Sequence, residues 1–371
     1  MDNMQKLIEI SRYYGDDPAY VIAGGGNTSF KDEERIWIKA SGIPLAGIDK
    51  SGFVCLSREK LGEIEVNQYS EDPVLREEEV KSDMQKAIIS PENLRPSVET
   101  SLHNLIDFSF VVHTHPTLVN GLMCSNDVKA EVESRLGRDA LYVEYTDPGF
   151  ILFKKVQELI EKYREQYGKA PAIIFLQNHG VFVGADSLDE IHALYNTINE
   201  RIGSGMDISV PEGEAEVYES EASQAIEKHF ASRGFVSKAV RCALTDHFSE
   251  SMEQYQKIAW PFSPDIIVYC KSNYLFMGEN LEAELVQASC EQFEETHGYY
   301  PKVIIEEKGG LILVEENERS VKNVQEVYMD QMKISMLSEN FGGPHFMTPG
   351  QILFIDNWEV EHYRRKVAKK G

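Results

Sequence analysis

Nowhere does the sequence hold the roughly eighteen consecutive apolar residues that a membrane-crossing helix needs. Its start, MDNMQKLIEISRYYG, reads as an amphipathic helix instead of a charged, apolar leader. A cytoplasmic protein with no membrane partner is therefore expected. Cysteine is scarce: Cys55, Cys124, Cys242, Cys270 and Cys290 are odd in number and never stand in CxxC spacing, which argues against a disulfide framework and against a cysteine metal site. Positive charge is short as well. With 37 Lys and Arg against 61 Asp and Glu, the formal net charge is −24, which excludes nucleic acid and anionic membranes as partners, since both need a basic surface. A small anionic substrate survives this exclusion, because exposed charges farther than about 8 Å are screened at physiological salt. Neither GxGxxG nor a GK[ST] ending occurs, which argues against a nucleotide site.

What is present describes an ordinary globular chain of 371 residues, 42% hydrophobic and 26% charged, long enough for about two domains. Residues 1–210 alternate helical and strand-like segments with hairpin signals, predicting an α/β domain with a largely antiparallel sheet. The stretch GSGMDISVPEGEAEVYES breaks the periodicity, and residues 211–371 then read as a smaller α/β domain, in which two helices lead to SPDIIVYC. Setting Pro301 against Pro171 aligns VIIEEKGGLILVEEN with IIFLQNHGVFVGADS without a gap. The second domain is thus expected to hold a degenerate copy of the first domain's terminal unit, with Gly309 standing where the first has His179.

Four short segments carry chemistry. In the strand-like VVHTHPTLVN, His113 and His115 point to one face, because strand side chains alternate. Two buried imidazoles cost desolvation energy, which core hydrogen bonds or a divalent metal could offset. LQNHG adds His179 beside a turn glycine, giving three imidazoles from two strands, the ligand number of a catalytic zinc site with one open position. The other seven histidines, His103 among them, read as surface or packing residues. GGGNTS, spanning Gly24–Ser29 and read as following a strand, offers backbone N–H groups and small polar side chains to an anion, or is a plain turn. Ser41 and Gly42 in KASG and Ser97 in RPSVE are further small turns that could ring one phosphate. PSVETSLHNLI reads as a helix entry with Ser97 as cap and Glu99 in the first turn; Glu99 is a first-turn carboxylate favoured by the helix dipole or an acid/base group beside a metal.

Taken in order, GGGNTS, KASG, PSVE, HTHP and LQNHG resemble the class II aldolase/adducin family of metal-dependent sugar-phosphate aldolases and epimerases, over roughly residues 1–205. VVHTHP followed by YVEYTDPGF, and the tail from SPDIIVYC to FIDNWEVEHYRRKVA, are similar to the aldolase portion of bifunctional rhamnulose-1-phosphate aldolase/lactaldehyde dehydrogenase proteins. Only the aldol half is implied here. The resemblance implies a class II aldolase-like three-layer sandwich, with His113, His115 and His179 binding Zn2+ or another divalent transition metal. It makes Glu99 the acid/base group and assigns Gly26, Asn27, Ser41, Gly42 and Ser97 to the substrate phosphate. Tyr145 is implied as the proton donor to the aldehyde oxygen. The implied reaction is retro-aldol cleavage of a ketose 1-phosphate to dihydroxyacetone phosphate and an aldehyde such as lactaldehyde. Sugar-phosphate 4-epimerisation on the same site, or a non-catalytic adducin-like scaffold, are the alternatives. A homo-oligomer, a cyclic tetramer in many members, is implied too. Two departures stand out: Val98 replaces a second serine common in the family, and the segment from Glu99 to His113 is short.

Overall fold

A computed structural model describes residues 2–211 and 213–358, which divide into two compact units. One unit takes the chain up to Met123 together with Asp127–Gly205; the other takes Cys124–Asn126 and the chain from Met206 onward. In the first unit eight strands form one sheet: β1 (Asn27–Lys31), β2 (Arg35–Lys39), β3 (Phe53–Ser57), β4 (Ile88–Ser90), β5 (Phe110–Thr114), β6 (Leu141–Val143), β7 (Ile173–Leu176) and β8 (Gly180–Ala185). Their order is β4-β3-β2-β1-β5-β8-β7-β6. Every pairing is antiparallel except β6 with β7, and that pair needs the long crossover that the helix Phe150–Tyr167 provides.

Helices cover both faces, so the unit is a three-layer sandwich of the expected class. The helix Phe150–Tyr167 buries Leu152, Phe153, Val156, Ile160 and Tyr163, three or four residues apart, against Val111, Ile174 and Phe182 of the sheet. The helices Asn3–Gly15 and Leu188–Gly203 pack on the opposite face, where Tyr195 hydrogen-bonds Thr114 at 2.7 Å. Among the described residues no helix is long and apolar enough to cross a membrane. All five cysteines are free thiols.

The second unit holds a five-stranded sheet of β9 (Glu216–Val217), β10 (Val236–Arg241), β11 (Leu275–Met277), β12 (Val303–Glu306) and β13 (Gly310–Glu315), in the order β11-β12-β13-β10-β9. Read in reverse, this is the order β1-β5-β8-β7-β6. The hairpins match residue for residue: Ile173 faces Val183 as Val303 faces Leu313, and Leu176 faces Gly180 as Glu306 faces Gly310. Asn178 and Lys308, at the same place in the two turns, share a left-handed backbone with φ of 55° and 56°. Here too one pairing is parallel, β11 with β12, and a helix, Ala283–His297, connects them.

Two local readings need correction. A strand, β10, stands between the helices Glu221–Ala231 and Ala243–Ser249, where two successive helices were expected before SPDIIVYC. Only Ala239 and Val240 of VSKAVR are buried, so the alternation that marks a strand is interrupted. The glycines of GGGNTS precede β1 and do not follow a strand; residues 21–26 turn into it. Of the tail FIDNWEVEHYRRKVA, residues 359–368 lie outside the described residues.

Candidate metal centre and substrate site

Strand β5 sets the first two imidazoles. His113 is fully buried and stacks on Phe182 of β8, with ring centroids 4.0 Å apart. Its Nδ1 faces the Val181 carbonyl at 3.0 Å. A carbonyl only accepts, so Nδ1 carries the hydrogen and Nε2 is left as a lone pair. Burial pushes the ring's pKa well below the usual histidine range. Two residues on, His115 brings its Nε2 to 2.9 Å from that of His113, as same-face neighbours should.

The β7–β8 turn delivers the third. Asn178 donates its N–H to the Met123 carbonyl at 3.1 Å, and His179 follows. Glycine is required next: a Cβ on Gly180 would sit 2.5 Å from the Thr114 carbonyl oxygen and 2.7 Å from the His115 ring. The ligand nitrogens of His113, His115 and His179 converge within 4.8 Å of one another.

Glu99 closes the group. Its Oε1 is buried without a hydrogen-bond partner and lies 3.3 Å from His113 Nε2 and 3.5 Å from His179 Nε2. Burial raises its pKa, but the three imidazoles and Asn27 together outweigh that and hold the carboxyl down at about 2. Three imidazoles and a carboxylate oxygen without a hydrogen-bond partner form an N/O donor set that fits a divalent transition metal such as zinc. Glu99 is the N-cap residue of the helix Thr100–Leu105, and Ser97 does not cap that helix; the Ser97 Oγ instead accepts from the Glu99 N–H at 3.3 Å. The reason is the tight turn 97–100, in which Thr100 N–H bonds the Ser97 carbonyl and delays the helix.

Behind Glu99 the sequence reading missed a residue. His103, expected at the surface or in simple packing, is fully buried and hydrogen-bonded to Ser29 and Asn27. Asn27 in turn donates Nδ2 to Glu99 Oε2 at 2.5 Å. No motif marks such a histidine; its partners lie more than seventy residues away along the chain.

The expected phosphate residues assemble beside this group. Ser41 N–H bonds the Arg95 carbonyl, and Ala40 bridges Pro96, so Ser41, Gly42 and Ser97 share one corner. Gly26 is left-handed at φ 65°, and a Cβ there would meet the His113 carbonyl oxygen at 2.8 Å. Lys39, also missed, is buried, and its Nζ donates to the carbonyls of Ile43 at 2.7 Å and Gly24 at 3.5 Å, joining the two glycine turns. Tyr145 follows β6 and is tied to the hairpin through its N–H, which donates to Gln177 Oε1 at 3.0 Å. Burial, and then the Asp147 carboxylate, push its phenol up. The structure brings Glu99 and Asn27 to the histidines, but places Tyr145 on this neighbouring loop.

The family model for the class II aldolase and adducin N-terminal domain matches residues 5–202, and the chain belongs to that family. A Bacillus subtilis (strain 168) protein named uncharacterized oxidoreductase YuxG is 26% identical over 187 residues, covering 48% of this chain. The match takes in only 26% of that relative's length. Among solved structures, the N-terminal class II aldolase domain of a conserved Thermoplasma acidophilum protein is 25% identical with a TM-score of 0.46, covering 54% of this chain and 92% of its own. An L-fuculose 1-phosphate aldolase is 20% identical with a TM-score of 0.37, covering 56% and 90%.

Proposed function

We propose that the chain is a metal-dependent aldolase that cleaves a ketose 1-phosphate of the rhamnulose or fuculose type into dihydroxyacetone phosphate and an aldehyde such as lactaldehyde. The supporting observation is the buried Glu99 Oε1, facing three convergent imidazoles with no hydrogen-bond donor. Held by His113, His115 and His179, zinc or another divalent transition metal supplies a Lewis acid for the substrate carbonyl and for the charge that develops on its oxygen.

The chain's own residues do the remaining work. His113 is locked as a neutral Nδ1–H ring by Val181, so its lone pair always faces inward. The corner formed by Ser41, Gly42 and Ser97 presents the Gly42 N–H and two serine hydroxyls to the 1-phosphate, beside the Gly26 turn and the Lys39 ammonium, the Ser41 and Ser97 N–H groups being used to hold the corner together. As C3–C4 breaks, the C4 hydroxyl passes its proton by way of Tyr145 to water and becomes the aldehyde, while Glu99, ionised at rest, takes a proton from water and passes it to C3, which completes dihydroxyacetone phosphate. The Tyr145 phenol, kept protonated by burial, gives its proton to the aldehyde oxygen when the reaction runs toward condensation.

The experiment is incubation of the zinc-loaded protein with rhamnulose 1-phosphate and fuculose 1-phosphate, with and without a chelator, following dihydroxyacetone phosphate. Release that the chelator stops and zinc restores is the expected result. An isomeric sugar phosphate without release would replace the aldolase by a 4-epimerase. Absence of both metal and reaction would leave a non-catalytic scaffold.

A further inference from the structure

We propose that His103 is a positioning residue that fixes the Asn27 amide and thereby holds Glu99 by Oε2, leaving Oε1 turned toward His113 and His179. The inference rests on Glu99 being the acid/base group of the reaction proposed above. It follows from hydrogen-bond polarity along one buried chain of groups.

The chain starts at Glu99. Its Oε2 lies 2.5 Å from Asn27 Nδ2, and an ionised carboxylate only accepts, so Asn27 presents its nitrogen there and its Oδ1 on the other side. Oδ1 meets His103 Nε2. An amide oxygen also only accepts, so the hydrogen of His103 must sit on Nε2. That leaves Nδ1 bare at 2.7 Å from Ser29 Oγ, whose hydroxyl donates to it. The ring is fully buried, and burial lowers its pKa to about 3, the opposing pull of Glu99 and the further lowering by Lys31 being smaller. A neutral ring has one N–H to give, and Asn27 receives it.

With Glu99 ionised, each link runs in a single direction. Turning the Asn27 amide over would set its oxygen against the carboxylate and its NH2 against the His103 N–H, two repulsive contacts in a buried place. Lys31 ties the far end by donating from Nζ to the His103 carbonyl at 2.7 Å. With Glu99 ionised, Oε2 is consequently held as the acceptor of the Asn27 NH2. Oε1 is left as the oxygen aimed at His113 and His179.

The test has two arms. In metal-free protein labelled with 15N-histidine, long-range 1H–15N spectra at neutral pH should show one ring with Nε2 protonated and Nδ1 bare, its signal absent in His103→Gln. An Nδ1–H tautomer or an imidazolium at this residue overturns the proposal. In zinc-loaded protein, His103→Leu should lower kcat for cleavage, and for solvent-deuterium exchange into dihydroxyacetone phosphate, by about 10- to 100-fold. Bound metal should stay within about twofold of wild type and KM should change less than kcat, because His103 touches no imidazole ligand and reaches the phosphate residues only through Asn27. His103→Gln, whose side chain can donate to Asn27 and accept from Ser29, should recover most of the rate. Unchanged exchange in His103→Leu, or equal loss of metal and rate in both variants, overturns the positioning role. If His103→Leu does not fold, Ser29→Ala, which frees Nδ1, carries the same comparison. Should wild type turn over no ketose 1-phosphate, the function proposal fails, while the tautomer still decides the relay.

Discussion

The two units build the same hairpin and put it to opposite uses. Register sets Ala239 where His113 stands, since each faces the same position on the next strand, Ile312 and Phe182 respectively. Two residues on, Arg241 replaces His115 and pairs with Asp246 at 2.6 Å. Gly309 replaces His179. A Cβ on Gly309 would sit 2.5 Å from Glu306 Oε2, so the Glu306 carboxylate occupies the space an imidazole would enter. That oxygen accepts from Tyr218 Oη at 2.9 Å and Ser220 Oγ at 2.8 Å. Each unit therefore buries one carboxylate near its turn. Glu306 Oε2 is satisfied twice over and acts as a strut, whereas Glu99 Oε1 has no donor and keeps its capacity to bind. Reactivity here follows from what a carboxylate is denied.

The comparison breaks most sharply if the first unit is made to look like the second. His113→Ala should abolish stoichiometric zinc and lower cleavage more than about 100-fold, measured by metal analysis and by dihydroxyacetone phosphate release. Retained metal in that variant would remove His113 from the ligand set. The reverse change, Gly309→His, should bind no zinc and destabilise the protein by about 1–3 kcal/mol in urea unfolding, since the new side chain collides with Glu306. Adding Glu306→Leu, which restores the residue of the first hairpin, should recover part of that loss; equal stability of the single variant and wild type would refute the strut.

The smallest effect concerns buried cations. Lys302 in the second unit has the Glu315 carboxylate beside it, whereas Lys31 in the first donates to a carbonyl, and burial lowers its pKa to about 7. Between about pH 7 and the ordinary lysine value of 10.5, the unfolded chain binds a proton that the folded chain does not. Stability therefore rises with pH across that window, by at most about 1.4 kcal/mol per pH unit, and the full penalty is present below pH 7. Lys31→Met should flatten the rise in urea midpoints between pH 7 and 10. An unchanged slope would show that Lys31 keeps its proton.

What could be read in the sequence had a short repeat distance. The same-face placement of His113 and His115 follows from a period of two, and the likeness of the two hairpins follows from an ungapped alignment of apolar positions. The antiparallel sheet was legible through its hairpins. Strand β10 was not, because Lys238 and Arg241 interrupt its apolar pattern and tertiary pairing with β13 supplies what propensity lacks. The Ser97 cap was misread because a local turn competes with helix entry. His103 and Lys39 were illegible for a different reason. Each is defined by partners brought together only by the fold, and a lone polar residue on a helix or strand carries no pattern.

Gly26 has a consequence for substrate choice. With the His113 carbonyl oxygen only 2.8 Å from where its side chain would begin, the glycine turn and the histidine strand are clamped at a single point. In the proposed reaction the turn would act as a ruler: the separation between a phosphate and a chelated carbonyl would be set by the backbone and could not stretch to suit the ligand. In the proposed reaction, sugars would be sorted by how many atoms separate those two groups before any stereochemistry is consulted. Alanine at this position would push the turn and the histidine strand apart and so recalibrate the ruler.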